Sequence, residues 1–279
     1  MRGRAGAVAP DGVREGGGVV RIAVVSDVHG NLTAYRAVLE DAERRGADVV
    51  LNLGDVAGKG PRGSECVQLT RERCALTVMG NWEVVLSDLS RRMTHPGMQW
   101  WRAELTDDDR AWMRSLPVAH HLLLSGRQVR FVHASTDSPF TRIWRHHSKE
   151  EFDSFFAATP LTERDGPSPT PDVAVYGDLH HAYSEVIDGR TLINCGSAGN
   201  PLDEDPQLSY LLLEGELGSA EAAPFAYQFV RVPYDVDAEV AVARDLAMPL
   251  ALEYEVELRT GVYRSLHVER GLRTPPVER

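Results

Sequence analysis

Short apolar runs, each broken by a glycine or a polar turn, set the rhythm of most of this chain. Val19–Val25 is one such run. Residues 49–53 (Val-Val-Leu-Asn-Leu), 75–79 (Ala-Leu-Thr-Val-Met), 129–132 (Val-Arg-Phe-Val) and 173–176 (Val-Ala-Val-Tyr) are others. Runs of this length, rich in β-branched residues, predict buried strands. Between the first two, Leu32, Tyr35, Val38, Leu39 and Ala42 recur at helical spacing and Gly46 stops the pattern. Residues 20–53 therefore read as a βαβ unit. A second helix, over about 63–73, leads into the strand ending at Met79. Thr106-Asp107-Asp108-Asp109 opens a short helix with a capping box and Pro117 closes it; Ser148-Lys149-Glu150-Glu151 opens another before Phe152, Phe155 and Phe156. The later chain turns to hairpins. Asp188-Gly189 joins strands over 183–187 and 191–194, and Phe225, Tyr227 and Phe229 alternate along a further strand. A last helix is expected over about 237–247, and 163–171, rich in Pro and Gly, is a loop. No repeat is visible. Strands alternating with helices predict a layered α/β fold.

The residues just past each run matter more than the runs themselves. Asp27-Val28-His29-Gly30-Asn31, Gly54-Asp55, Gly80-Asn81, His133 and Gly177-Asp178-Leu179-His180 each stand at the carboxyl end of a predicted strand. Open α/β sheets keep their sites there. An Asp and a His two residues apart on a strand point the same way. Carboxylate, amide and imidazole donors, with no thiolate, suit Mn, Fe, Zn or similar divalent ions. Singly, each residue has an ordinary explanation. Asp27, or better Asn31, caps the next helix; Asp55 makes an Asx turn; His133 is a satisfied core histidine. Five strand ends carrying such residues in order favour a shared metal centre.

The ordered blocks resemble the calcineurin-like metallophosphoesterase superfamily, whose pattern reads Asp-x-His, Gly-Asp, Gly-Asn-His-Asp/Glu, His, Gly-His-x-His. The nearer resemblance is to the small bacterial branch of YfcE-type phosphodiesterases, carried by residues 54–61 (Gly-Asp-Val-Ala-Gly-Lys-Gly-Pro), 194–201 (Asn-Cys-Gly-Ser-Ala-Gly-Asn-Pro) and 232–235 (Val-Pro-Tyr-Asp). It spans about 21–261. The resemblance implies a four-layer α/β/β/α sandwich; length and composition read as one domain, 19–279, after a disordered extension, 1–18, of Gly, Arg and Pro. It implies two divalent ions, Mn expected and Fe, Zn, Ni or Co as alternatives. Asp27, His29 and His180 match ligands of the first ion, Asp55 the bridge, and Asn81 and His133 ligands of the second. Asp178 stands where the second ion's remaining His would be and counts as a ligand. Asp55 and Asn81 are the catalytic candidates; Asn31, Lys59, Trp82, Arg142 and His146 are the substrate-binding ones, with Arg62 beside Lys59 as a further cation. His120, His121 and His181 are expected to be structural or exposed.

Two positions depart from that pattern. Trp82 replaces the His after Asn81, and Asp178 replaces the first His of the last pair. The family His at position 82 contacts phosphate and can protonate the leaving oxygen, whereas indole offers an N–H but no titratable proton near neutrality. The implied function is a metal-dependent phosphoesterase, most readily a phosphodiesterase, with a hydroxide activated between two ions. The alternatives are a catalytically weakened scaffold for protein interaction, as in a retromer subunit of this fold, or a protein phosphatase.

Composition narrows the partners. Of 279 residues, 43% are hydrophobic, enough for a full core, and the net charge of −11 gives no general pull on nucleic acid or acidic membranes. A small phosphoester remains compatible, because bound ions dominate the local field. Cys66, Cys74 and Cys195 lack metal-site spacing and read as reduced thiols of a cytoplasmic protein. No membrane span is expected, residues 1–18 lack a secretory signal's apolar core, and no oligomeric state is legible.

Overall fold

The computed structural model describes residues 18–164 and 168–273; the expected extension, apart from Gly18, lies outside the described residues. Among the described residues, ten strands form two five-stranded mixed sheets. The first holds β1 (Val19–Val25), β2 (Val49–Asn52), β3 (Leu76–Thr77), β9 (Leu208–Glu216) and β10 (Ala226–Val232), in the order β10-β9-β1-β2-β3. The second holds β4 (Ala119–Leu124), β5 (Arg127–Val132), β6 (Val173–Tyr176), β7 (Ala182–Ile187) and β8 (Arg190–Cys195), in the order β4-β5-β6-β8-β7. β1 runs parallel to β2, with Ile22 opposite Val49 and Val25 opposite Asn52, and antiparallel to β9.

Period-two alternation divides the core into layers. Ile22, Val24, Leu51, Leu211 and Leu213 of the first sheet meet Phe131, Val173, Val175 and Ile193 of the second, so the two sheets bury one face each against the other. Ala23 and Val25 point the opposite way. They pack with Tyr35, Val38 and Leu39 of α1 (Leu32–Arg44) and with Cys66 and Val67 of α2 (Gly63–Arg73). Ala174 and Tyr176 cover the outer face of the second sheet with Phe152 of α6 (Lys149–Ser154) and with Phe155 and Phe156 just beyond it. The result is the α/β/β/α sandwich.

Local chemistry explains the element ends. The Asn31 side chain accepts from Ala34 N–H at 3.0 Å and caps α1. Thr106 and Asp109 exchange capping-box bonds of 3.1 and 2.9 Å at the start of α5 (Asp107–Ser115), and Ser148 and Glu151 do the same for α6. Asp188 and Gly189, with φ of 52° and 78°, close the β7–β8 hairpin with the left-handed pair that a tight turn requires.

Three helices differ from the sequence expectation. α3 (Asn81–Ser87) starts inside the Gly-Asn-Trp-Glu block, and α4 (Pro96–Ala103) comes after it. The ligand-like residues masked the first of these starts. The helix expected to be last is α7 (Val236–Asp245), but α8 (Ala251–Thr260) lies beyond it. Its inward face carries Tyr254, Leu258 and the fully buried Glu257, whose carboxylate takes Arg264 Nε and Nη2 at 2.8 and 2.6 Å. A buried charge on the inner face blurs the apolar stripe that would announce a helix. β3 is also shorter than the apolar run 75–79. Val78 still bonds Asn52 O at 2.9 Å, but Met79 N–H donates at 2.7 Å to Pro117 O.

Candidate metal centre

The strand-end residues converge, by a local geometry other than the expected one. β1 stops at Val25, so Asp27 and His29 lie beyond it and are not aligned by strand alternation. Their φ angles are 57° and 51°; Asp55, Asp178 and His180 share the left-handed region at 55°, 60° and 60°. Five of the seven candidate ligands are thus held in a conformation that is uncommon outside glycine. Each such residue costs on the order of 1–3 kcal/mol and persists only where its surroundings over-determine it. Here the first two ligand turns are laced together by their backbones. Asp27 N–H donates to Gly54 O at 3.0 Å, His29 N–H to Asp55 O at 2.9 Å and Gly30 N–H to Val56 O at 2.9 Å. Two glycines permit the close approach. A Cβ on Gly80 would lie 2.3 Å from Asp55 Oδ1, and one on Gly177 would lie 2.1 Å from Ser26 Oγ.

Two overlapping trios of ligating atoms result, each with its atoms within 4.8 Å of one another: Asp27, His29 and His180; and Asp27, Asp55 and His133. His29 Nε2 and His180 Nε2 stand 3.2 Å apart. Asp27 Oδ1 is 3.2 Å from His180 Nε2 and 3.7 Å from His29 Nε2. Asp55 Oδ2 lies between two imidazoles, 3.6 Å from His29 Nε2 and 3.4 Å from His133 Nε2. Asn81, the first residue of α3, brings its Oδ1 to 3.1 Å from His133 Nε2.

Ring orientations suit cation binding. His133 Nδ1 is 2.7 Å from Leu53 O, and His180 Nδ1 bonds Asn200 O, so each ring donates from Nδ1 and turns its Nε2, the nitrogen a cation would take, inward. Asp27 Oδ1 is buried with no hydrogen-bond partner, while its Oδ2 accepts from Asp178 N–H at 3.0 Å. An orphaned buried carboxylate oxygen facing two imidazole nitrogens is a poor arrangement without a cation and a good one with it. These donors fit a divalent ion.

Electrostatics agree. Burial, reinforced by Lys59 and the neighbouring imidazoles, holds His29 well below the usual imidazole range. Burial alone would raise Asp27, but the imidazoles of His180 and His133 outweigh it and hold the carboxyl well below the usual range. Burial likewise opposes a charge on His133, yet Asp55, with Asp27 and Asp178 beyond, lifts it well above the usual value of 6.5. In the metal-free protein the His133 proton therefore occupies part of the space that a cation would take.

The remaining candidates divide. Lys59 Nζ reaches to 3.4 Å from both His180 Nε2 and Asn200 Oδ1, and burial, partly offset by Glu257, pushes its ammonium down to about 8. Asp178 Oδ1 comes within 3.9 Å of His133 Nε2, but both of its oxygens are taken by Arg142. Trp82 donates its backbone N–H to Asp55 Oδ1 at 2.9 Å. Its ring lies edge-on to His29 and Trp101, each 5.5 Å away between centroids, and so close over Gly58 that a Cβ there would meet Trp82 Cε3 at 2.1 Å. Trp82 is thus part of the wall beneath the cluster. Asn31 is fully engaged elsewhere, since besides capping α1 it donates to Gly199 O at 2.7 Å and to the Tyr234 hydroxyl at 3.1 Å. Arg62 turns away to Thr33 and Glu239, so its place beside Lys59 in sequence does not carry it to the cluster. His146 is exposed and makes none of the cluster's hydrogen bonds or ion pairs; its neighbour His147 pairs with Glu185. His121 accepts from Arg130 Nε at 3.0 Å, a structural role.

Sequence reasoning missed what Glu83 does. Its buried carboxylate accepts the backbone N–H groups of Asp55, Val56 and Gly80, each at 2.8 Å, and so ties the Asp55 turn to the start of α3. Burial, then the charge of Asp55, pushes it up to about 7. Only its place three residues after Gly80, where capping boxes put Glu, could have signalled this. Glu83→Gln confronts one of those donors with an amide NH₂. It is expected to destabilise the metal-free protein by about 2 kcal/mol, the scale of one orphaned buried donor. Urea unfolding reads this directly; a loss below about 0.5 kcal/mol would show that Glu83 does not hold the turn.

Comparison with known proteins agrees with this geometry. Residues 20–217 match the model of the calcineurin-like phosphoesterase superfamily domain, and the chain belongs to that family. It is 31% identical over 224 residues to an uncharacterized protein, MJ0912, of Methanocaldococcus jannaschii, covering 77% of this chain and 88% of the relative. Among solved structures it is similar to a metallophosphoesterase from Sphaerobacter thermophilus, at 26% identity and a TM-score of 0.65, over 88% of this chain and 100% of that one. A hypothetical protein, PH1004, from Pyrococcus horikoshii OT3 shares the fold at 16% identity and a TM-score of 0.68, over 88% and 99% of the two chains. No helix among the described residues is long and apolar enough to cross a membrane. Cys66, Cys74 and Cys195 are free thiols.

Proposed function

We propose that this protein is a metal-dependent phosphoesterase acting on phosphodiesters, with two divalent ions at saturation and Mn²⁺ as the preferred ion. One observation carries the reading: Asp55 Oδ2 stands between His29 and His133, at 3.6 and 3.4 Å, so one carboxylate faces both halves of the ligand cluster. Asp27, His29 and His180 would hold one ion, Asn81 and His133 the other, and Asp55 both. Bound ions supply concentrated positive charge to a phosphate and lower the pKa of water at the site. The chain's own residues orient the rest. Asn81 is fixed by α3 and His133 by Leu53, and Lys59 places an ammonium at the cluster's edge, where a phosphate oxygen needs a donor. Fe, Zn, Ni and Co suit the same donors. The direct test is hydrolysis of a chromogenic phosphodiester by the purified protein with each metal, beside a phosphopeptide panel that reports protein phosphatase activity. No turnover with any metal, in protein shown to bind metal, would defeat the enzymatic reading. It would favour the second one, a binding scaffold, which Trp82 in the proton donor's place supports.

Proton linkage gives an independent check. The second ion and the His133 proton compete for one nitrogen, and that proton is held well above pH 6.5 in the metal-free protein. Metal uptake at pH 7 is expected to release a proton, and affinity is expected to climb as pH rises above 6.5 towards the raised value of His133. Calorimetry in buffers of different ionisation heat reads both; heats independent of buffer would remove His133 from the ligand set. By the sign of the same shift, His133 stabilises the metal-free fold fully below about pH 6.5, and that contribution is lost as pH rises through its raised value.

A further inference from the structure

Asp178 sits at the second half of the cluster, yet its carboxylate is already engaged. Arg142 donates Nε–H to Asp178 Oδ2 at 2.8 Å and Nη2–H to Oδ1 at 2.7 Å, the fork-to-fork geometry of a strong pair. Asp178 is almost wholly buried, while the Arg142 side chain keeps 43% of its surface exposed. The guanidinium also lies over the Trp144 ring, 5.4 Å from Cζ to the ring centroid. It therefore bridges the buried cluster and solvent. Among the described residues Arg142 bonds only Asp178, which leaves Nη1 without a protein acceptor.

This has two consequences for the second half of the cluster. The donors left to it are His133, the amide oxygen of Asn81 and a share of Asp55, since Asp178 cannot turn to an ion without breaking two charge-assisted bonds. A guanidinium is also a permanent cation, and it stands next to the pocket a second dication would enter. We propose that Arg142, anchored on Asp178, stands in for the second ion: the centre holds one divalent ion tightly, and the free edge of the guanidinium supplies the other positive contact to the phosphate of the substrate. The position that carries a histidine in the family pattern thus carries an ion pair. Asp178 neutralises Arg142 while no phosphate is present and aims its free edge when one arrives.

The inference rests on the metal-centre reading, and the experiment separates the two. Metal-free protein is titrated calorimetrically with Mn²⁺, and inorganic phosphate is then titrated into the singly loaded protein. One tight step is expected, with a second at least about tenfold weaker. Arg142→Gln should leave the tight step intact, which also certifies the fold. It should tighten the weak step at least about fivefold by freeing Asp178 and removing the charge, and weaken phosphate at least about tenfold. Arg142→Lys keeps the charge without the fork; its second step should stay weak and its phosphate affinity fall between the other two. Two equal Mn²⁺ steps in the unaltered protein would overturn the proposal. So would a second step unchanged or weakened in Arg142→Gln, or phosphate affinity unchanged in it. Absence of any metal step would instead defeat the metal-centre reading itself.

Discussion

Asp55→Asn is expected to strip the centre of its metals and to lower phosphodiester hydrolysis by roughly a thousandfold, equivalent to about 4 kcal/mol of transition-state stabilisation. Asparagine suits the test better than alanine for a backbone reason. Position 55 has a φ of 55°, which Asn tolerates and Ala resists, so the change isolates the lost charge from added strain. Asp55 Oδ1 is held by Trp82 N–H at 2.9 Å, so the side chain should keep its place. With the shared charge gone, the negative donor between His29 and His133 is lost, and both halves of the cluster weaken together. Elemental analysis after dialysis gives the metal content, and the chromogenic diester assay gives the rate. Full occupancy of both halves in the variant would remove Asp55 from the bridging role and the dinuclear reading with it.

The second large effect concerns Trp82 and depends on the leaving group. With no titratable group at this position, departure of a basic alkoxide lacks the help that is typically worth 10²–10⁴-fold, whereas a nitrophenolate leaves unaided. Nitrophenyl diesters are therefore expected to turn over at measurable rates and alkyl esters far more slowly. Trp82→His should raise alkyl ester hydrolysis by at least about tenfold more than nitrophenyl hydrolysis. The structure adds a constraint. The indole lies against Gly58, His29 and Trp101, so imidazole leaves a void in the wall below His29 and should loosen the cluster. That loosening lowers both rates alike, so the ratio between substrate classes is the informative quantity. An unchanged ratio would mean that Trp82 only shapes the wall and marks no missing acid.

Much of this arrangement was legible in the chain because two demands coincide at the strand ends. A cation needs Asp, Asn or His, and a left-handed turn accepts Asp, Asn, His or Gly more readily than other residues. Both select the same short alphabet, so Asp27, His29, Asp55, Asp178 and His180 stand out against apolar runs. Interactions between distant segments did not stand out. The Arg142–Asp178 pair joins residues 36 apart, and the sequence offered Arg142 as a substrate contact and Asp178 as a ligand without showing that the two meet. Glu83 anchors the Asp55 turn from 28 residues away. α8 was hidden because Glu257 sits where an apolar residue would have marked its inner face. Asn31, offered by the sequence both as a substrate contact and as the cap of the next helix, caps α1 and clamps Gly199.

The left-handed ligand turns also bear on how such a centre would decay. At positions 27, 55 and 178 glycine relieves the backbone and asparagine suits it nearly as well, while β-branched or bulky residues oppose it. Selection for hydrolysis, where it acts, would hold aspartate at 27 and 55 against this relief of the backbone. Once that selection lapses, drift runs downhill towards Gly and Asn, and the turns outlive the chemistry. A lineage that had abandoned hydrolysis would still fold these loops and would carry its lost function as a recognisable scar. Inactive descendants rich in Val or Leu at these three positions would contradict that history.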